Sequence, residues 1–325
     1  MKITVLDGYT LNPGDNSWSA VEPFGELTIH DRTSADHIVE RSLDADVLLT
    51  NKTPLDAETL AQLPKLKFIG VMATGINVVD IAAAAQRGIP VSNVPEYCTD
   101  SVAQHVISVM LSMNHRPYEH STAVYGGQWE KAGDFCFWLS PLRELTGKTM
   151  GVVGYGRIGK RVCELAAAFQ MNVLAHNPTY RNKTRLDYLR FDWCSLEQVF
   201  RESDFVSLHC PLTDENAGFV NASLIKQMKP NALLINTARG GLVNENDLAE
   251  VLQERGIAGA CLDVTSTEPI QKDNPLLAAP NCLITPHNAW ASLEARQRLM
   301  KVTAENIEAF LSGHPVNLVQ PRPLS

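Results

Sequence analysis

Two groups of residues in this chain have types and spacings that could do chemistry. The first is Gly154-Tyr155-Gly156-Arg157-Ile158-Gly159, which follows the apolar run Met150–Val153 and opens a helical run from Arg157 to Phe169. In such a turn the first glycine allows a tight strand-to-helix reversal. The second lets a pyrophosphate approach the backbone, and the third lets the helix pack on the strand. A βαβ unit closes at Asn172–His176, a context that a bare G-x-G-x-x-G lacks, so the pattern predicts a dinucleotide held at a helix N-terminus. The second group lies at the ends of three later apolar runs. It comprises Asn236-Thr237-Ala238-Arg239-Gly240-Gly241, Leu262-Asp263-Val264 with Glu268-Pro269, and Thr285-Pro286-His287-Asn288-Ala289-Trp290. Arg239 offers a planar, permanently charged fork suited to a carboxylate and a carbonyl oxygen. His287 carries the ring that exchanges protons most readily near neutral pH, and Glu268 could hold that ring in one tautomer and favour its charged form. An arginine or a histidine alone in such a place is ordinarily a surface or loop residue. Their shared position at strand C-termini, where open α/β sheets bind ligands, makes them candidates together.

The elements that must position these residues read as two alternating series. Short β-branched runs at Ile3–Leu6, Leu27–His30, Val47–Thr50, Phe68–Met72 and Pro90–Asn93 alternate with helical segments at Ala35–Ser42, Leu55–Gln62 and Val79–Arg87. A long, mostly buried helix is expected over Thr99–His115, then an irregular excursion over 117–147. The second series has six expected strands: Met150–Val153, Asn172–His176, Phe205–His209, Leu233–Thr237, Ala258–Asp263 and Leu283–Thr285. An amphipathic helix over Ser292–Leu311 stops at Gly313 and Pro315. Strand alternating with helix implies parallel sheets covered on both faces. The fold class is therefore α/β with two doubly wound parallel-sheet domains, as 325 residues also suggest.

Composition narrows the function classes. A hydrophobic fraction of 45% and a charged fraction of 20% describe an ordinary globular chain. With 28 Lys+Arg against 36 Asp+Glu the net charge is −8, which disfavours a nucleic-acid partner. No run approaches the length of a membrane helix, and Asp7 interrupts what a secretory leader would keep apolar. Seven scattered cysteines without a C-x-x-C argue against a disulfide framework or a metal site, and for reduced thiols in a cytoplasmic protein.

The four ordered motifs, with Ala73-Thr74-Gly75 near the start, resemble the D-isomer-specific 2-hydroxyacid dehydrogenase family over nearly the whole chain. The runs Thr-Pro-His-x-Ala-Trp and Met-Ala-Thr-Gly-x-Asn-Val-Val-Asp are similar to its glycerate dehydrogenase (hydroxypyruvate reductase) branch. The resemblance implies a Rossmann dinucleotide-binding domain, residues 99–289, inserted into a discontinuous flavodoxin-like substrate domain, residues 1–98 and 290–325. It implies a nicotinamide cofactor, NAD(H) or NADP(H), a small 2-keto or 2-hydroxy acid substrate, and a homodimer paired through the dinucleotide domain. Reducing a 2-keto acid needs the carboxylate held, the ketone oxygen polarised and a proton delivered. The resemblance assigns these tasks to Arg239 and His287, with Glu268 behind the histidine. It places Gly154, Gly156, Arg157, Ile158, Gly159, Asn177, His209, Cys210, Pro211, Thr237, Ala238 and Asp263 around the cofactor, Asp263 accepting from the carboxamide. Ala73, Thr74 and Gly75 would offer N–H groups to the substrate carboxylate as an anion nest does, Lys52 would add charge, and Trp290 would wall the pocket or anchor the helix that follows.

Two departures stand out. Gln104 replaces a glutamate common in the long helix, and polar Asn288 follows the histidine where an apolar residue is usual. At the ribose-reading position Asn177 is neutral, and Arg181, Lys183 and Arg185 follow, so the loop is either a solvated basic surface or a clamp for a 2′-phosphate. Other D-2-hydroxy acids, such as glyoxylate, lactate or phosphoglycerate, are the alternative substrates. A corepressor-like scaffold that senses the cofactor is the alternative of a different class; it would need a peptide-docking surface or long tails.

Overall fold

The computed structural model describes residues 1–178 and 191–321; Arg181, Lys183 and Arg185 lie outside the described residues. Contacts divide the chain into two compact units, one formed by Met1–Cys98 with the segment from Ala291 onward, the other by Thr99–Trp290.

In the first unit β1 (Lys2–Val5), β2 (Glu26–Ile29), α1 (Ile38–Ser42), β3 (Val47–Thr50), α2 (Ala57–Ala61), β4 (Phe68–Val71), α3 (Ile81–Gln86) and β5 (Val91–Ser92) follow in order. The strands form one parallel sheet in the order β2-β1-β3-β4-β5, the doubly wound flavodoxin-like arrangement. β3 and β4 are buried along their whole length, as a sheet covered on both faces requires. The side chains of Asp56 and Asp80 cap α2 and α3 by accepting N–H bonds from Thr59 and Ala83.

The second unit runs α4 (Thr99–His115), α5 (Pro117–Tyr125), β6 (Thr149–Val153), α6 (Arg157–Ala168), β7 (Asn172–His176), β8 (Phe191–Trp193), α7 (Leu196–Glu202), β9 (Phe205–Leu208), α8 (Ala222–Ile225), β10 (Leu233–Asn236), α9 (Glu245–Gln253), β11 (Gly259–Leu262) and β12 (Cys282–Ile284). Its seven described strands lie in the order β12-β11-β10-β9-β6-β7-β8, all parallel. β6 lies between β7 and β9, so the crevice beyond their C-terminal ends is the topological switch point, the ligand site of such sheets. The last helix, α10 (Leu293–Leu311), belongs to the first unit, where Phe310 stacks on Phe68 of β4 at 4.7 Å between ring centres.

Two expectations are corrected. Residues 117–125 form α5 rather than the start of an irregular stretch, because Pro117 sits in the helix's first turn, where its missing N–H costs nothing. A seventh strand, β8, joins the expected six: Phe191 and Trp193 pack edge-to-face, 5.0 Å between ring centres, and three residues are too short to show an alternation in sequence.

Candidate active site

The glycine turn joins β6 to α6, and its three glycines are explained differently. Gly154 has φ +97°, and a Cβ there would meet the His209 carbonyl carbon at 2.6 Å and the Cys210 nitrogen at 2.5 Å. A Cβ at Gly159 would overlap the carbonyl oxygen of Gly154. The fold itself demands both. Gly156 has φ −82° and open space where its Cβ would point, so nothing in the protein requires a glycine there. The open space suits the close approach of a dinucleotide pyrophosphate to the backbone. No side chain caps α6, so its first N–H groups remain available to an anion. Arg157 is exposed and Ile158 half-buried beside the turn.

Asn177 directly follows β7 and is half-buried. Beyond β9, the N–H of His209 donates to the Val153 carbonyl at 2.7 Å, and its ring shares a 2.8 Å hydrogen bond with Ser207. Burial pushes the ring down to about 3, so it is neutral at physiological pH. Burial also pushes the Cys210 thiol up, which argues against a nucleophile; Pro211 after it is exposed. Beyond β10, the Thr237 hydroxyl oxygen is buried with no hydrogen-bond partner among the described residues, an orphan suited to a bound polar ligand. Asn236 shapes that loop, accepting from the Ala238 N–H at 3.0 Å and donating to the Arg239 carbonyl at 2.8 Å.

Arg239 is exposed at the end of β10. A Cβ at the adjacent Gly240 would overlap the backbone of Thr265, so the Arg239 loop touches the loop carrying Glu268. The Glu268 carboxylate lies 2.7 Å from His287 Nδ1, and its other oxygen accepts the Thr265 N–H at 3.3 Å. Both side chains stay within reach of solvent, 28% exposed for His287 and 36% for Glu268. With Nδ1–H given to the carboxylate, Nε2 is the nitrogen presented outward. The histidine backbone is left-handed, φ +50°, a state costing about 1–3 kcal/mol that persists only where neighbours enforce it. Here its N–H donates to the carbonyls of Asp263 (2.8 Å) and Thr285 (3.0 Å), and its own carbonyl accepts from Trp290 Nε1 at 2.9 Å. Trp290 thus braces the histidine loop.

In the first unit the Lys52 side chain is exposed, but its loop is fixed from below. The buried Asp7 carboxylate accepts the N–H groups of Asn51 (2.8 Å), Lys52 (2.5 Å) and Thr53 (2.7 Å). The sequence reading missed this role. The available signal was an aspartate just past a first strand whose neighbours are apolar. Beyond β4, the N–H groups of Ala73, Thr74 and Gly75 donate to no protein acceptor among the described residues, while the Thr74 hydroxyl and carbonyl bond Val94 and Asn93. None of the three has a positive φ, so the segment is a plain turn with free donors rather than an alternating nest.

Glu245 on α9 is a second residue the sequence reading missed. Its carboxylate accepts the Ser266 N–H (2.6 Å) and hydroxyl (2.7 Å) and the Asn274 amide (2.9 Å), clamping the loop that delivers Glu268.

A phosphate-cradling turn at the switch point and an acid–base pair beyond β11 and β12, three and four strands along the same sheet, define a dinucleotide-dependent oxidoreductase. The chain belongs to the D-isomer specific 2-hydroxyacid dehydrogenase family, whose NAD binding domain model matches residues 107–289. It is 47% identical over 322 residues to hydroxypyruvate reductase of Blautia hydrogenotrophica, covering 98% of this chain and 99% of that one. It is 40% identical to glycerate dehydrogenase of Methylorubrum extorquens, covering 88% of each. Among solved structures, NADPH-dependent glyoxylate/hydroxypyruvate reductase of Sinorhizobium meliloti matches with TM-score 0.81 and 27% identity over 99% of both chains. D-2-hydroxyisocaproate dehydrogenase matches with TM-score 0.85 and 27% identity over 99% of this chain and 100% of that one. The cofactor is accordingly a nicotinamide dinucleotide, and no described helix is long and apolar enough to cross a membrane.

Proposed function

We propose that the chain reduces hydroxypyruvate to D-glycerate, with glyoxylate as a secondary substrate. The observation that carries the chemistry is the 2.7 Å contact between Glu268 and His287 Nδ1, which leaves Nε2 as the proton donor. The naming of the two curated relatives as a hydroxypyruvate reductase and a glycerate dehydrogenase supports the substrate. Residues that would hold the dinucleotide are the Gly154–Gly159 turn with Arg157 and Ile158, Asn177, the 209–211 segment, Thr237 and Ala238. When bound there, the reduced nicotinamide supplies the hydride that the ketone carbon receives. Arg239 holds the substrate carboxylate and polarises the ketone oxygen. The Nε2–H of His287 passes its proton to that oxygen as the C–O bond becomes single, and Glu268 stabilises the ring throughout. The free N–H groups of Ala73, Thr74 and Gly75 and the charge of Lys52 are the substrate ligands assigned to the first unit, which is thus the substrate domain.

We assign a homodimer to this enzyme, because α5 and the segment after it expose Tyr118 (81%), Tyr125 (91%), Phe135 (84%) and Trp138 (66%), an apolar surface a monomer would rarely carry. We assign it to the cytoplasm, a reading that its seven free thiols support. The test is a 2-keto-acid panel run with NADH and with NADPH. Hydroxypyruvate should give the highest kcat/KM, and a higher value for pyruvate or a branched-chain keto acid would sink the substrate assignment.

A further inference from the structure

The Asp263 carboxylate is 1% exposed, and its bonds are directed at the histidine loop rather than outward. Oδ1 accepts the Thr285 hydroxyl at 2.6 Å and the Asn288 N–H at 3.0 Å, and Oδ2 accepts the Ala289 N–H at 3.0 Å. Its carbonyl takes the His287 N–H. Four bonds from one residue therefore span both sides of a histidine held in a left-handed backbone. The chain of contacts extends one step further. His105, on α4, places Nε2 3.3 Å from the Thr285 hydroxyl oxygen and 3.9 Å from Asp263 Oδ1. A threonine hydroxyl has one hydrogen, and here the carboxylate takes it. The ring must then be the donor, so His105 carries its hydrogen on Nε2.

We propose that His105 and Thr285 are positioning residues for the reaction, holding Asp263 and, through it, the backbone of the proton donor His287. The path is a relay, a chain of hydrogen bonds: the ring N–H donates to the hydroxyl, the hydroxyl donates to the carboxylate, and the carboxylate accepts the two N–H groups that follow His287. Without the relay the Asp263 carboxylate loses its strongest partner and a neighbouring dipole. It can then rotate away from Asn288 and Ala289, releasing the constraint on φ of His287. The ring of His287 would keep its Glu268 contact only in part of the population. Burial lowers the proton affinity of His105 and the Asp263 charge opposes that, consistent with a neutral donor rather than an ion pair. This account gives Asp263 a role in loop geometry where the sequence suggested a carboxamide acceptor, and it rests on His287 being the proton donor.

The test uses the full-length enzyme with saturating NADH and hydroxypyruvate. His105→Leu and Thr285→Val should each lower kcat on the order of tenfold, the worth of one net hydrogen bond. KM for the keto acid and Kd for NADH should stay within about twofold. Thr285→Ser and His105→Gln, which keep a donor in place, should restore most of kcat. The double variant should be no slower than the worse single one, since both break one relay. Wild-type kcat in both single variants overturns the proposal, as does failure of both conservative variants to rescue. A selective rise in Kd for NADH also overturns it, because that outcome belongs to a carboxamide contact. His287→Ala, measured alongside, separates the two readings: if it alone is inactive the proton donor stands and only the relay falls, and if it is fully active the donor assignment itself is wrong.

Discussion

Replacing Gly156 with alanine separates what the ligand requires of the turn from what the fold requires. At φ −82° an alanine adopts the backbone without strain, and its Cβ enters open space. The cost to folding is confined to the N-cap position, where alanine is poorer than glycine by up to about 1 kcal/mol. In a domain of this size that lowers Tm by about 2–4 °C. The dinucleotide should suffer far more. A methyl group standing over the first turn of α6 would lift the pyrophosphate from N–H groups that no side chain caps. Each charge-assisted bond contributes about 1.5–3 kcal/mol, so losing one or two raises Kd for NADH on the order of 10- to 100-fold or more at 1.4 kcal/mol per tenfold. Gly159→Ala is the control with the opposite sign. Its Cβ would overlap the Gly154 carbonyl oxygen, and overpacking of that kind costs about 1–3 kcal/mol before any ligand is added. Thermal melts give the stability arm, and quenching of intrinsic tryptophan fluorescence by NADH gives the binding arm. A Gly156→Ala enzyme that binds NADH within about twofold of wild type would show that no phosphate approaches this turn.

Four further outcomes follow from the same geometry. His287→Ala should lower kcat by on the order of 10²–10⁴, the range of lost general-acid catalysis, and Arg239→Ala should both raise KM and lower kcat; steady-state kinetics near wild type would contradict the assigned roles. Because Asn177 neither repels a 2′-phosphate nor accepts strongly from the ribose, kcat/KM for NADH and NADPH should differ by less than about 100-fold, and Asn177→Asp should shift the ratio toward NADH. Burial holds His209 neutral down to about 3, whereas the unfolded ring titrates near 6.5. The unfolded chain then binds the extra proton, so stability is complete above about 6.5 and declines as pH falls toward 3. Linkage sets the His209 share at about 2 kcal/mol between pH 7 and 5, and denaturant melts of His209→Asn should show a correspondingly flatter decline. Ending the chain after Ala291 removes α10, whose Leu299, Met300 and Ile307 are buried and whose Phe310 covers Phe68; the product should aggregate, as light scattering would report.

Much of this molecule is local in origin and was legible in the amino-acid order. The glycine turn, its flanking strand and helix, and the long helices Thr99–His115 and Leu293–Leu311 each follow from residues within a few positions of one another. Periodicity and capping act over that range. Arg239, Glu268 and His287 could be named because each lies in the loop that follows a strand, and the C-terminal ends of strands in parallel sheets face the ligand crevice. Two elements stayed hidden because their signals are weak: β8 is three residues long, and α5 opens with the proline that suggested a break.

What only the tertiary structure decided is where the buried carboxylates spend their hydrogen bonds. Asp7 reaches N–H groups more than 40 residues away, at Asn51, Lys52 and Thr53. Asp263 reaches the histidine loop on the neighbouring strand, and Glu245 reaches Ser266. A carboxylate in sequence carries no sign of its partner, because charge and residue type are the same whether it contacts a ligand, solvent or a distant backbone. Burial decides between them: once water is excluded, each carboxylate oxygen must find donors within the protein, and the strand order alone determines which loops supply them. The same division applies to the glycines. Spacing marks Gly154, Gly156 and Gly159 alike, but only the packed neighbours show that the fold requires the first and last, while the middle one faces open space.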